Sequence, residues 1–309
     1  FRRRGEVDRA IRLHQGLVQR NDLSDQQRVL ALLALGEDYM KSGLLDRAET
    51  VFTDLARIDE RAPQALKHLL GIYQAERDWE RAIDNAIRYE EVTGEPMGKL
   101  VSQFECELAE RHRANGDLAA ARAAIARAYQ ADATSVRAGI LEGRIEAGDG
   151  NPDAAIRAYE RAARHDPDYL PEFLPSLLAC YGEVGDTAGA RVFLAEMSEH
   201  YRGIAPVLAL TRLIEAQEGA EAAREFLGRQ LKDRPSVRGE AALIDLTLAV
   251  GADSTATLHD LKHITDQLLV RNPSYRCTRC GFGARTHHWQ CPSCKEWGTV
   301  KPLLNYAVV

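Results

Sequence analysis

Residues 36–52 read Gly-Glu-Asp-Tyr-Met-Lys-Ser-Gly-Leu-Leu-Asp-Arg-Ala-Glu-Thr-Val-Phe, and their pattern indicates how the chain folds. Gly43 separates two segments, and Ala48 and Phe52 lie one helical turn apart on the second of them. The pattern predicts a helix, a turn in which glycine adopts a positive φ, and a second helix. Gly36 is expected where the two helices cross too closely for a larger side chain.

The same phrase recurs along the chain, as a small or turn residue with an alanine about five positions later. The alanines are 33 to 39 residues apart and fall at Ala10, Ala48, Ala82, Ala121, Ala155, Ala190 and Ala223. A helix–turn–helix phrase with a period near 34 resembles the tetratricopeptide repeat (TPR). The resemblance covers residues 1–240, about seven repeats, and implies an all-α superhelix whose groove binds peptides or proteins.

The repeat pattern also predicts where the array departs from regularity. Two of the longer spacings place insertions near residues 20–25 and 93–99. Pro167 and Pro235 are expected to stop second helices. Residues 241–272 remain helical in pattern without the repeat phrase, and we interpret them as capping helices or a degenerate eighth repeat.

Four cysteines near the C-terminus form two Cys-x-x-Cys pairs. They are Cys277, Cys280, Cys291 and Cys294. Two such turns complete a tetrahedral four-sulfur shell around one metal ion, so residues 273–309 are predicted to be a metal-binding module of the rubredoxin or zinc-ribbon type. Zinc and iron both accept this shell, and the spacing leaves the metal open. Because no position is free for water or substrate, the site is structural or redox-active and not hydrolytic.

Other residues near or outside this module have plainer interpretations. His287 and His288 are expected to be loop residues, since four thiolates already complete the shell. Cys106 and Cys180 lie in apolar helical contexts and are expected to be buried, inert thiols. Trp289 and Trp297 are expected mainly to cover the module, with contact to a partner as the alternative. These residues are therefore not predicted to be metal ligands.

The charge is distributed unevenly. The chain carries a formal net charge of −6, whereas residues 271–309 hold six Arg or Lys against one acid, Glu296. This asymmetry favours docking of the basic module onto the acidic helices, with a patch for RNA or an acidic partner as the alternative. The short link through Pro273 and the apolar surplus of the module predict docking on the last helices, residues 240–270.

No catalytic residues are predicted. The sequence contains no Walker loop, no Gly-x-Ser-x-Gly and no His-Glu-x-x-His. A protein-binding scaffold is the favoured function. The alternatives are a rubredoxin-like electron-transfer protein and a zinc-ribbon nucleic-acid binder, against which the overall negative charge weighs.

The N-terminal residues bear on localisation. The chain begins Phe1-Arg2-Arg3-Arg4, and no stretch approaches the roughly 20 apolar residues of a membrane span. We expect a trimmed, soluble cytosolic chain, or alternatively a cytoplasmic domain cut just after a membrane anchor, with the arginines as its positive-inside flank.

Both ends of the chain resemble one protein family. Residues 1–15, Phe-Arg-Arg-Arg-Gly-Glu-Val-Asp-Arg-Ala-Ile-Arg-Leu-His-Gln, resemble the opening of the cytoplasmic part of the bacterial lipopolysaccharide assembly protein B family. The segments 275–282, 289–294 and 301–302 resemble that family's rubredoxin-like tail, and the cysteines that match its metal ligands are the four above. Residues 303–309 depart from the family pattern.

The resemblance implies a function that the spacings do not show. Family members carry one N-terminal membrane helix and lie on the cytoplasmic face of the inner membrane. They act as adaptors that promote degradation of the lipid A pathway deacetylase by the membrane-bound AAA+ protease FtsH. A lipopolysaccharide sensor in the inner membrane opposes them.

Overall fold

The computed structural model describes residues 1, 5–58, 63–251, 255–271 and 273–303. The chain divides into two compact units, Phe1–Ser135 and Val136–Val309. The helices of the first unit are α1 Val7–Val18, α2 Asp25–Lys41, α3 Leu45–Ile58, α4 Pro63–Glu76, α5 Trp79–Thr93, α6 Gly98–Ala114 and α7 Leu118–Ala131. Those of the second are α8 Val136–Gly148, α9 Pro152–His165, α10 Leu170–Val184, α11 Thr187–His200, α12 Ala205–Glu218, α13 Ala220–Asp233, α14 Val237–Val250 and α15 Thr255–Arg271.

Within each unit the helices form helix–turn–helix pairs, as the repeat phrase predicts. The pairs are α2/α3, α4/α5 and α6/α7 in the first unit and α8/α9, α10/α11 and α12/α13 in the second, while the phrase around Ala10 contributes the single helix α1. Six of the phrase alanines lie on second helices and Ala10 lies on α1, and all seven are at most 3% exposed. This burial confirms the predicted register.

Close crossings and left-handed turns explain the glycines of the phrase. A Cβ atom on Gly36 would lie 2.5 Å from the ring of Phe52, and one on Gly143 would lie 2.5 Å from the ring of Tyr159. Both distances are far inside van der Waals contact, which confirms that only glycine fits there. Gly43 has a φ of 78° in the turn, as predicted, but Arg77 takes the same turn between α4 and α5 with a φ of 58°.

Where two phrase alanines lie farther apart than 34 residues, a longer helix between them accounts for part of the difference. Helices α2 and α6 have 17 residues each, whereas α4 and α7 have 14. Pro167 begins a short 3-10 turn, Pro167–Tyr169, between α9 and α10, and Pro235 follows the end of α13. Both prolines therefore follow second helices, as predicted. Helices α14 and α15 pack on each other after the last phrase alanine.

The C-terminal module is a small antiparallel sheet. Its strands are β1 Tyr275–Cys277, β2 Gly283–Ala284 and β3 Val300–Pro302, in the order β2-β1-β3. Its buried core consists of Cys277, Cys291 and Val300. The predicted fold class, all-α repeats followed by a four-cysteine module, is confirmed. The boundaries 1–240, 241–272 and 273–309 stay a prediction.

In the described part of the chain, no helix is both long enough and apolar enough to cross a bilayer. The arginine cluster at residues 2–4 and the final residues 304–309 lie outside the described residues.

Candidate metal centre

The two Cys-x-x-Cys segments form equivalent turns that present their sulfurs in the same way. The Gly281 amide donates to the Cys277 carbonyl at 3.0 Å, and the Lys295 amide donates to the Cys291 carbonyl at 2.9 Å. Gly281 has a φ of 77° and Lys295 a φ of 60°, so both turns end in the left-handed region. The second turn therefore needs a conformation that glycine would adopt more easily than lysine.

The four sulfurs fit a tetrahedral ion. The Sγ atoms of Cys277 and Cys294 are 3.8 Å apart, and those of Cys280 and Cys291 are 3.7 Å apart. All four lie within 4.8 Å of one another. A tetrahedral site with metal–sulfur bonds of about 2.3 Å has sulfur–sulfur edges of about 3.8 Å. The four cysteines form a metal-binding site, and zinc and iron both satisfy this geometry.

Hydrogen bonds favour thiolate on the first turn. The Thr299 hydroxyl lies 3.3 Å from Cys277 Sγ, and this contact, with backbone amides of the turn, lowers the pKa of Cys277 to about 6. The backbone amide of Phe282 lowers the pKa of Cys280. By contrast, desolvation and then the neighbouring sulfurs raise the pKa of Cys294. Four adjacent thiols resist joint ionisation, and a bound cation supplies the positive charge that offsets it.

The sulfurs differ in their access to solvent. Cys277 and Cys291 are 2% and 0% exposed. Cys280 is exposed and Cys294 is half-buried. The centre is therefore closed on the side of the module core and open on the side of Cys280.

Tyr169, in the 3-10 turn before α10, is the main docking platform for the module. Its ring stacks on Trp289 with centroids 5.0 Å apart, and its hydroxyl donates to the Gly298 carbonyl at 3.0 Å. Lys301 Nζ lies 3.9 Å from the centroid of the same ring. Burial raises the pKa of Tyr169, so its hydroxyl stays a donor. The module is thus fixed to the helices of its own unit.

Arg137 of α8 forms a second docking point. Its side chain is 2% exposed, and its guanidinium carbon lies 5.4 Å from the Trp289 ring centroid and 5.7 Å from that of Trp297. The expectation that Trp289 mainly covers the module was wrong, whereas the same expectation for Trp297 stays a prediction. Trp289 packs instead against the helical core that contains Tyr169 and Phe173.

Polar contacts complete the docking. The Tyr275 hydroxyl donates to Glu172 at 2.5 Å, and Lys301 forms an ion pair with Asp166 and lies 3.8 Å from Asp168. These contacts confirm that the basic module docks onto acidic residues of the helices. They lie at residues 166–172, whereas the sequence pointed to residues 240–270. The docking contacts come from strands β1 and β3, which hold Tyr275 against Glu172 and Lys301 against Asp166.

His287 lies in this interface and not at the metal. Its ring contacts Tyr169, Trp289 and Tyr275 at centroid distances of 5.4, 4.6 and 5.8 Å. The buried Nε2 atom has no hydrogen-bond partner. Desolvation, followed by the positive charges nearby, lowers the pKa of His287 to about 4. His287 is therefore neutral in the docked module.

Sequence reasoning found the cysteines but missed the residues that receive the module. Arg137, Tyr169 and Glu172 belong to repeat helices and their turns, where they look like ordinary surface positions. One signal was available for Arg137, which interrupts the small and apolar residues at the start of α8. The two remaining cysteines, Cys106 and Cys180, are buried as predicted.

Comparisons with known proteins agree with this architecture. Residues 275–302 match a family model described as a rubredoxin metal binding domain. The chain is 38% identical to lipopolysaccharide assembly protein B of Escherichia coli strain K12, over 98% of this chain and 78% of that relative. It is 32% identical to the protein of that name from Haemophilus influenzae, over 99% of this chain and 77% of the relative.

Among solved structures, the TPR protein YrrB aligns at 14% identity with a TM-score of 0.36, over 66% of this chain and 100% of YrrB. The identity to the two relatives extends through the repeats and the four-cysteine module alike. The chain belongs to the lipopolysaccharide assembly protein B family.

Proposed function

We propose that this protein is a non-catalytic adaptor that binds proteins during lipopolysaccharide assembly. The observation that carries the proposal is the 38% identity over 98% of the chain to a relative named for that process. Stacked helical pairs supply extended surfaces for protein partners, and they rarely carry chemistry.

The more specific function concerns proteolysis at the membrane. We propose that the chain works on the cytoplasmic face of the bacterial inner membrane. There it presents the lipid A pathway deacetylase to the protease FtsH, while an inner-membrane lipopolysaccharide sensor opposes it. Support comes from the family membership, and from the docking of the module, which forms one continuous surface with α8 and α10.

The metal has a structural role in this proposal. Cys277, Cys280, Cys291 and Cys294 are its proposed ligands, and a bound zinc or iron ion would supply the cross-link that so small a module needs to fold. The residues of the chain then do the rest, because the Cys291 turn positions Trp289 against Tyr169 and Arg137. We also retain residues 1–240, 241–272 and 273–309 as the proposed domains.

The test is reconstitution in vesicles with FtsH, the deacetylase and this chain carrying an N-terminal membrane helix. The deacetylase should be degraded faster with the chain than without it, and it should co-purify with the chain when FtsH is inactive. Arg137→Ala should weaken both effects, whereas Arg224→Ala, at an exposed ion pair with Glu221, should leave them unchanged. Degradation at the same rate without the chain would refute the adaptor function.

A further inference from the structure

The cysteines of the metal centre differ in their access to solvent, and Cys280 is the most exposed of the four. Cys280 is exposed, whereas Cys277 and Cys291 are buried, at 2% and 0%. The remaining thiols of the described chain, Cys106 and Cys180, are also buried, at 0% and 2%. Of the described cysteines, Cys280 is therefore the one most open to a dissolved reagent.

We propose that Cys280 is an oxidation site for hydrogen peroxide, and that its oxidation releases the metal and undocks the module from Tyr169 and Arg137. The inference does not depend on the proposed adaptor function, because it concerns only the centre and its contacts.

The chemistry needs one peroxide molecule for each centre. The Cys280 sulfur attacks one peroxide oxygen, the O–O bond breaks, hydroxide leaves, and Cys280 becomes a sulfenic acid. A second thiolate attacks the Cys280 sulfur and expels the second hydroxide, giving a disulfide. Peroxide gains two electrons, and the two sulfurs lose one each. Cys291 Sγ is already 3.7 Å from Cys280 Sγ, so a small movement brings the pair to bonding distance.

The consequence for docking follows from the backbone between the two turns. Trp289 lies two residues before Cys291, and its carbonyl accepts a hydrogen bond from the Gly298 amide at 2.8 Å. The Gly298 carbonyl in turn accepts the Tyr169 hydroxyl at 3.0 Å. A disulfide leaves two sulfurs for the ion, which is too few for a stable tetrahedral site. Loss of the ion then frees the segment that holds Tyr169 and Arg137.

The experiment uses the full metal-loaded chain and hydrogen peroxide below one equivalent. Metal release is followed with a chromogenic chelator, and each thiol is quantified by alkylation and mass spectrometry. Cys280 should be lost about ten times faster than Cys106 or Cys180, as expected for an accessible thiolate against buried thiols. One ion should leave for each peroxide consumed. A thiol reductant with added metal should reverse both changes.

Undocking has its own readout, which is amide hydrogen exchange at residues 166–172. Exchange there should rise with metal release, and Cys106→Ala should behave like the unmodified protein. Equal rates of loss at Cys280 and Cys106, or an ion retained after two thiols are lost, would overturn the oxidation site. Metal release with unchanged exchange at residues 166–172 would overturn the coupling to docking.

Discussion

Replacing Arg137 with alanine should detach the metal-binding module while the helices stay folded. The guanidinium lies over both tryptophans of the module, at 5.4 Å from Trp289 and 5.7 Å from Trp297, and its side chain is 2% exposed. A desolvated cation–π contact contributes about 1–2 kcal/mol, so two contacts amount to about 2–4 kcal/mol of docking free energy. Arg137→Lys keeps the charge but loses the planar stacking, and it should cost about half as much.

Hydrogen exchange and tryptophan fluorescence measure the two parts of this prediction. In Arg137→Ala, amides at residues 166–172 should exchange faster, and the tryptophan emission should shift to the red as the rings of Trp289 and Trp297 meet water. The metal content and the helical circular dichroism should stay near wild type. Arg224→Ala, at an exposed pair, is the matched control. Unchanged exchange and fluorescence in Arg137→Ala would show that the two stacking contacts do not hold the module.

Three further predictions concern single positions. The docked module should lose up to about 3 kcal/mol as the pH falls from 6.5 to 4, because burial lowers the pKa of His287 to about 4 and only the undocked ring gains a proton. In His287→Leu the dependence should fall by that amount and leave only the part due to Glu172, whose pKa burial raises, and an unchanged slope would contradict the assignment. Gly143→Ala places a Cβ 2.5 Å from the buried Tyr159 ring and should destabilise the second unit by about 1–3 kcal/mol in thermal unfolding. Gly182→Ala, with open space around its Cβ, should instead stabilise the same unit by up to about 1 kcal/mol. Lys295→Gly relieves the strain of a lysine at a φ of 60°, which costs about 1 kcal/mol, and should therefore slow metal loss to a competing chelator several-fold. Faster metal loss in this variant would contradict the strain argument.

The parts of the structure that the sequence predicted are those set by local spacing. The phrase alanines are buried because a helical repeat fixes which positions face the neighbouring helix, and these positions can be read at a period near 34. The four cysteines come together for the same reason, since each pair needs only one turn of backbone. Burial of Cys106 and Cys180 likewise follows from their apolar neighbours along a helix.

The docking position could not be read in this way, because it depends on contacts between distant residues. Tyr169 and Gly298 are 129 positions apart, and Glu172 and Tyr275 are 103 apart. The short link at Pro273 indicated that the module docks, but not which repeat it reaches. Arg137 is the clearest example, since an arginine is rarely buried and its position makes sense only once two tryptophans lie against it.

The docking contacts join the module to the repeats beyond what metal binding requires. A four-cysteine module of this size can fold on its ion alone, so docking is not required for metal binding. Yet Trp289 packs against the helical core that contains Tyr169, and desolvation keeps the ring of His287 neutral in the interface. Metal binding alone would not require the half-buried His287, whose Nε2 atom has no hydrogen-bond partner. The metal-binding turns therefore also position Trp289 against Tyr169 and Arg137.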